Sequence, residues 1–252
     1  MEIRFLGTGT STGVPEIGCK CKVCQSADPK DKRLRSSVLV THGSTRILID
    51  CGPDFRQQML NLEFQKIDGV LITHEHYDHV GGLDDLRPFG RFGDIPVYTE
   101  TYVGSSIQMR MPYIFTEHRY PGIPKIDLQN IHPQPFYIQD IEITPIRIMH
   151  YKLRIFGYRI GKFAYITDMS SIPEEEFIKL QDLDVLVVNA LRIQEHLSHQ
   201  NLKQALTFAS RVKARNTYFI HMSHDIGLHS EIEKLLPEHH FFAYDGLVIQ
   251  SE

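Results

Sequence analysis

Four β-like runs in this 252-residue chain each end on a side chain able to bind a metal ion, and that recurrence constrains the fold more than any other feature. Gly69-Val70-Leu71-Ile72-Thr73 leads into His74, Ile141 to Met149 into His150, Phe163 to Thr167 into Asp168, and Asn216 to Ile220 into His221. Runs rich in apolar and β-branched residues read as buried strands. The first run delivers His74-Glu75-His76-Tyr77-Asp78-His79, three imidazoles and two carboxylates within six residues. Nothing in strand packing requires such a cluster, whereas a divalent cation satisfies all these groups at once. A solvated loop rich in histidine is the alternative, and it leaves the repetition downstream unexplained.

Bulk properties narrow the field. A hydrophobic content of 42% is ample for a real core. A net charge of −4 argues against a protein built mainly to coat nucleic acid, without excluding a locally basic mouth. No stretch approaches the ~20 apolar residues that cross a membrane. The chain starts at once with the strand-like Ile3-Arg4-Phe5-Leu6, which leaves no room for a signal peptide, so a cytoplasmic protein without a membrane partner is expected. With no repeat, low-complexity tract or linker, residues 1–252 read as one domain.

Strands are predicted at Ile3–Leu6, Ser36–Thr41, Arg46–Asp50, Pro96–Thr99, Phe136–His150, Arg154–Ile160, Phe163–Thr167, Asp184–Asn189, Thr217–Ile220 and Leu247–Gln250. Helices are predicted at Asp54–Leu62, Leu83–Phe89, from Ser171 onward, at Asn201–Val212 and at His229–Leu235. Strands interspersed with helices, twice over, suit two sheets packed face to face with helices outside. Met111 to Pro135 holds five prolines and little periodicity, and reads as a long loop. Tyr113, Arg119 and Lys125 in that loop are candidates to meet a substrate.

Three of the four cysteines fall in Cys19-Lys20-Cys21-Lys22-Val23-Cys24. A disulfide framework would spread its pairs, so this spacing points to thiolate ligation of a soft or borderline metal. A redox or free-thiol loop is the alternative. Three sulfurs leave tetrahedral zinc one ligand short. Cys51, after Asp50 at a strand end, reads as a small buried residue.

Taken in order, H-x-H-x-D-H at His74 to His79, Asp50 before it, and His150, Asp168 and His221 after it resemble the five motifs of the metallo-β-lactamase superfamily. Phe5-Leu6-Gly7-Thr8-Gly9-Thr10 resembles the branch that holds ribonuclease Z and phosphodiesterases. Val14-Pro15-x-x-Gly18-Cys19-x-Cys21-x-x-Cys24 is similar to the phosphoribosyl cyclic phosphate phosphodiesterases. The likeness runs over essentially the whole chain, through Gly157-Tyr158, Ser198-His199 and His221-Met222-Ser223-His224 to Asp245-Gly246.

The resemblance implies an α/β protein, an αββα sandwich of two mixed sheets, with a two-metal centre at the sheets' loop ends. His74, His76 and His150 would hold one ion, Asp78, His79 and His221 the other, and Asp168 would bridge them. Asp50 would orient the metal-binding loop without touching metal. His224 would complete a structural Zn²⁺ site with Cys19, Cys21 and Cys24; otherwise it is an ordinary surface imidazole. A relative's histidine at the position of His199 meets phosphate, so His199 is the candidate to neutralise or protonate the leaving oxygen, unless it is only a polar helix-entry residue. His196 is a weaker rival. His42, His118, His132, His239 and His240 have no partner logic and read as surface residues.

A mixed histidine and carboxylate set suits Zn²⁺ or Mn²⁺ in the catalytic pair. Two such ions ~3.5–4 Å apart would generate a bridging hydroxide and grip the phosphoryl oxygens, and Asp78 could hydrogen-bond that hydroxide. The expected function is a metal-dependent phosphodiesterase acting on a small cyclic phosphate, with a homodimer suggested by relatives. Cleavage of precursor tRNA in the manner of ribonuclease Z is the second expectation, with nucleic acid a less favoured partner. Thiolester or lactam hydrolysis is more distant. A non-catalytic metal-binding module is the reading from another class.

Overall fold

The computed structural model describes residues 1–116 and 121–252. Its first sheet contains β1 (Glu2–Gly7), β2 (Ser37–His42), β3 (Thr45–Ile49), β4 (Gly69–Leu71), β5 (Ile95–Glu100) and β6 (Ile126–Ile131). The second contains β7 (Phe136–Ile138), β8 (Ile141–His150), β9 (Leu153–Ile160), β10 (Phe163–Ile166), β11 (Val185–Asn189), β12 (Asn216–Ile220) and β13 (His240–Phe242). A last strand, β14 (Val248–Gln250), returns to pair with β1. The orders are β14-β1-β2-β3-β4-β5-β6 and β13-β12-β11-β10-β9-β8-β7.

Both sheets follow one pairing plan, which no repeat in the sequence announces. Neighbours are antiparallel as far as β3 in one and β10 in the other, and parallel beyond. The changeover matters for function, because ligands tend to bind beyond strand carboxyl ends where the topology switches.

Side-chain alternation explains the layers. Ile47 and Ile49 of β3 point inward, with Phe5, Val38 and Val40, onto Phe156, Tyr158, Phe163 and Tyr165 of the opposite sheet. Leu48 points outward, with Leu39 and Val70, beneath Phe55, Leu83 and Ile107. Leu186, Val188 and Phe219 cover the other outer face beneath Leu180, Ala205 and Phe208. Helices α1 (Phe55–Met59), α2 (Tyr77–Val80), α3 (Thr101–Arg110), α4 (Leu202–Val212) and α5 (His229–Ile232) complete the αββα sandwich that the sequence led us to expect. The start of α4 is set by a capping box: Asn201 accepts from the Gln204 amide and Gln204 accepts from the Asn201 amide.

Several local expectations need correction. The predicted helix at Leu83–Phe89 is a 3₁₀ segment over Leu83–Phe92, where Pro88 removes a backbone donor. The helical start at Ser171 yields 3₁₀ turns over Glu174–Leu180. Gln139, with φ of 56°, breaks the predicted strand Phe136–His150 into the hairpin β7–β8. The supposed loop Met111–Pro135 contains 3₁₀ turns over Pro112–Phe115 and the edge strand β6, whose Asp127 and Asn130 face solvent and hide its pattern. Neither α3 nor β13 was predicted; Gly104 within α3 weakens its helical signature. His118 and Arg119 lie outside the described residues. Among the described residues no helix is long and apolar enough to cross a membrane.

Candidate metal centre

The strands hand their terminal residues to one groove. Asp50 follows β3, His74 lies just beyond β4, His150 closes β8, Asp168 lies just beyond β10 and His221 follows β12. Asp50, Asp168 and His221 have φ of 60°, 57° and 55°. This left-handed conformation costs a non-glycine residue about 1–3 kcal/mol and gathers at functional sites. Gly52 makes the close approach beside them possible: a Cβ there would fall 2.1 Å from the Asp78 carbonyl oxygen. The Cys51 amide donates to the His79 carbonyl at 2.8 Å, tying the end of β3 to α2.

Hydrogen bonds select one nitrogen of each ring. His79 Nδ1 lies 2.7 Å from Asp50 Oδ2, and an ionised carboxylate can only accept, so this nitrogen carries the proton. His150 Nδ1 donates to the Ser198 carbonyl at 3.0 Å. Thr73 Oγ1 lies 3.0 Å from both Asp50 carboxylate oxygens and from His74 Nδ1. Its hydroxyl can donate to Asp50 while accepting from His74. Each of the three rings therefore turns a lone pair on Nε2 into the groove, the arrangement found in metal-bound histidines.

Those lone pairs meet no donor. Buried His74 Nε2 and His79 Nε2 have no hydrogen-bond partner. His79 Nε2 sits 3.1 Å from Asp78 Oδ2 and 3.2 Å from Asp168 Oδ2. His221 Nε2 lies 3.2 Å from Asp168 Oδ1 and 3.4 Å from Asp78 Oδ2. A His79 lone pair aimed at two carboxylates repels them unless positive charge lies among them, so the donor set fits a divalent cation. The donors fall into two neighbouring groups, His74, His76 and His150, and Asp78, His79, Asp168 and His221, each with ligand atoms within 4.8 Å of one another. Asp168 connects them, because it also groups with His150 and His199.

The titration behaviour shows the same demand for positive charge among the carboxylates, met by a proton on His79 where no cation is bound. Burial opposes charge on His79, yet Asp78, Asp50 and Asp168 raise its pKa well above the ordinary imidazole value. Burial likewise opposes ionisation of Asp168, but His221 and His79 hold it well below the usual carboxylate range. Burial pushes His74 well down, reinforced by His79, keeping it neutral and able to ligate. Asp50 is raised by burial, against the pull of His79.

A second cluster joins Cys19, Cys21, Cys24 and His224. His224 Nδ1 lies 3.3 Å from Cys19 Sγ and 3.2 Å from Cys21 Sγ. The amides of Glu16, Cys21 and Cys24 donate to Cys24, Cys19 and Cys21 sulfurs respectively at 3.4–3.5 Å, which favours thiolates. The Cys24 amide does most to lower the Cys21 thiol to about 6, while burial raises Cys24 to about 11. Three sulfurs this close ionise together only beside a cation, so this donor set fits a metal as well. All four cysteines are free.

The remaining candidates divide. His199 Nε2 lies 3.0 Å from Asp168 Oδ1, at the groove. His196 stands behind it, Nδ1 to Nδ1 at 3.2 Å. The Tyr113 hydroxyl is engaged by Asp84 at 2.6 Å, and Lys125 runs beside Gly90. Cys51 is fully buried, as expected. Sequence reasoning missed Thr73 and the Ser198 carbonyl, which orient His74 and His150; no spacing rule exposes a hydroxyl or a backbone oxygen of that kind.

A sandwich of two mixed sheets with histidines and carboxylates converging beyond its strand ends has the architecture of a metallohydrolase. Residues 45–222 match the family model for the β-lactamase superfamily domain, so the chain belongs to that superfamily. It is 47% identical over 250 residues to a Porphyromonas gingivalis protein called octanoyltransferase, covering 98% of this chain and 51% of that one. The chain thus spans about half the length of that relative. Among solved structures, a diphosphatase from the PhnP family superposes with a TM-score of 0.93 at 38% identity, over 100% of this chain and 98% of the other. Zinc-bound PqqB from Methylobacterium extorquens shares the fold, with a TM-score of 0.81 at 18% identity over 99% and 100% of the two chains.

Proposed function

We propose that this chain is a dinuclear-metal phosphodiesterase that opens a small cyclic phosphate by attack of hydroxide. The observation that carries the reading is Asp168, whose carboxylate reaches both donor groups at the end of β10. His74, His76 and His150 would hold one divalent ion, Zn²⁺ or Mn²⁺, and Asp78, His79 and His221 the other, with Asp168 shared. Bound there, the ions would supply a hydroxide near neutral pH and neutralise charge on the phosphoryl oxygens.

The chain's own groups do the rest. Asp50 and Thr73 hold the rings of His79 and His74 so that their lone pairs stay in the groove. Burial lowers His199 to about 4 against the opposing pull of Asp168. If cations take up Asp168, the Nε2–H of this neutral ring would be free to meet a phosphoryl or leaving oxygen. Cys19, Cys21, Cys24 and His224 would hold a structural Zn²⁺ that ties the N-terminal loop to the segment carrying His221.

The PhnP-family diphosphatase favours a second reading, hydrolysis of a phosphoanhydride at the same centre. The name octanoyltransferase belongs to a protein about twice as long.

The test is hydrolysis by Mn²⁺-loaded protein of 1,2- and 2′,3′-cyclic phosphates, bis(p-nitrophenyl) phosphate, diphosphates and precursor tRNA, with Asp168→Ala as control. Fastest turnover of a cyclic phosphate, lost in the variant, supports the proposal. Preference for diphosphates supports the second reading, and tRNA processing would replace both. No hydrolysis of any substrate, with equal ligand binding by Asp168→Ala, would leave a non-catalytic metal-binding module.

A further inference from the structure

We infer that Glu16 is a positioning residue for the cysteine-rich cation site, selecting the His224 tautomer that offers Nδ1 to the ion. The inference rests on reading Cys19, Cys21, Cys24 and His224 as a zinc site. Glu16 Oε2 lies 3.2 Å from His224 Nε2, while Nδ1 on the other edge of the ring faces two sulfurs. A carboxylate beside Nε2 stabilises the tautomer with its proton there, and so leaves the Nδ1 lone pair for a cation. With the opposite tautomer the ring would turn an N–H toward the thiolates and could not ligate.

Glu16 also meets the site through its backbone. Its amide donates to Cys24 Sγ at 3.4 Å, and its carbonyl accepts from the Cys19 amide at 3.1 Å. One residue therefore contacts three of the four donor residues, and only the contact with His224 depends on the side chain. That separation makes the inference testable, because substitution removes one contact and leaves the knuckle backbone in place. The Glu16 side chain is 42% exposed, so its loss opens no core cavity. Two nearby lysines are otherwise engaged: Lys22 pairs with Glu231 at 2.9 Å, and Lys32 donates to the Cys24 carbonyl at 3.1 Å.

The experiment measures zinc affinity of the full chain by competition with a chromogenic chelator, together with the absorption bands of Co²⁺-substituted protein. Partners of metal-bound histidines are worth about 10–100-fold in affinity, so Glu16→Ala should lose zinc that much more readily. Glu16→Gln should stay within about threefold of the parent, since its amide oxygen can take the carboxylate's place beside Nε2–H. Glu16→Lys, which places a like charge beside the ring N–H, should be weakest, with altered cobalt–thiolate bands. Wild-type affinity and bands in both Glu16→Ala and Glu16→Lys would overturn the inference. Cys21→Ser separates the two levels: if it carries as much metal as the parent, the zinc-site reading falls too, whereas loss of one ion with unchanged Glu16→Ala removes only the role of Glu16.

Discussion

Asp50 and His79 form a fully buried pair, with Oδ2 2.7 Å from Nδ1. Asp50 Oδ1 also accepts from the Thr73 amide at 2.9 Å, so both carboxylate oxygens are committed. In Asp50→Asn one of these sites becomes an NH₂ donor. If the amide oxygen keeps Thr73, the new donor faces His79 Nδ1 and forces the proton to Nε2, toward the groove. We expect divalent-metal affinity to fall about 10–100-fold, measured by metal content after dialysis against a weak chelator. Unchanged metal content would show that the tautomer of His79 is set elsewhere.

Gly52→Ala tests the contact between the end of β3 and α2. Its Cβ would meet the Asp78 carbonyl oxygen, and backbone at that distance has no rotamer by which to escape. Overpacking of this kind costs about 1–3 kcal/mol or more. The melting temperature should fall, and hydrolysis should fall further than stability alone explains, since Asp78 and His79 move with the displaced carbonyl. A variant with parental melting and rate would mean the loop relaxes freely.

Removing metal should destabilise the fold. Asp78, Asp168, His79 and His221 bring two carboxylates and two rings into one buried cluster that a cation binds only when folded. Ligands bound to the native state alone add about 2.7 kcal/mol at one hundred times Kd. Exhaustive chelation should therefore lower the melting temperature by several degrees, and Mn²⁺ or Zn²⁺ should restore it. Equal melting of chelated and reloaded protein would contradict a native-state cation site.

Asp245, which accepts from the Thr8 hydroxyl, gives a pH dependence of its own. Burial raises its carboxyl to about 6, against the Leu34 amide, Thr8 and Arg33, which favour the ionised form. The folded state therefore holds this proton more tightly than the unfolded chain does. Its stabilising effect is complete below the ordinary value of 3.8 and is lost as pH rises through about 6. Asp245→Asn should remove that slope, so the variant's stability relative to the parent should improve by on the order of 2–3 kcal/mol between pH 3.8 and pH 7. Urea unfolding of both proteins across this range is the check, and parallel pH profiles would refute it.

The sequence alone determined the layered sandwich and the donor side chains the structure gathers, because strands buried on both sides must be written as continuous apolar runs and donors as rare residue types. His74, His150, Asp168 and His221 stand out for that reason, and Cys19, Cys21 and Cys24 for their spacing. Periodicity failed where burial is one-sided or the helix short: β6 hides behind Asp127 and Asn130, and Pro88 turns an amphipathic helix into 3₁₀ turns.

Tertiary structure alone decided which nitrogen each ring presents, because that depends on partners distant in the chain. Ser198 lies 48 residues from His150, and Asp50 lies 29 from His79. It also decided the left-handed turns at Asp50, Asp168 and His221, which surrounding contacts must hold against local preference. Composition names the donors; only the packing of two sheets brings their lone pairs to a common point.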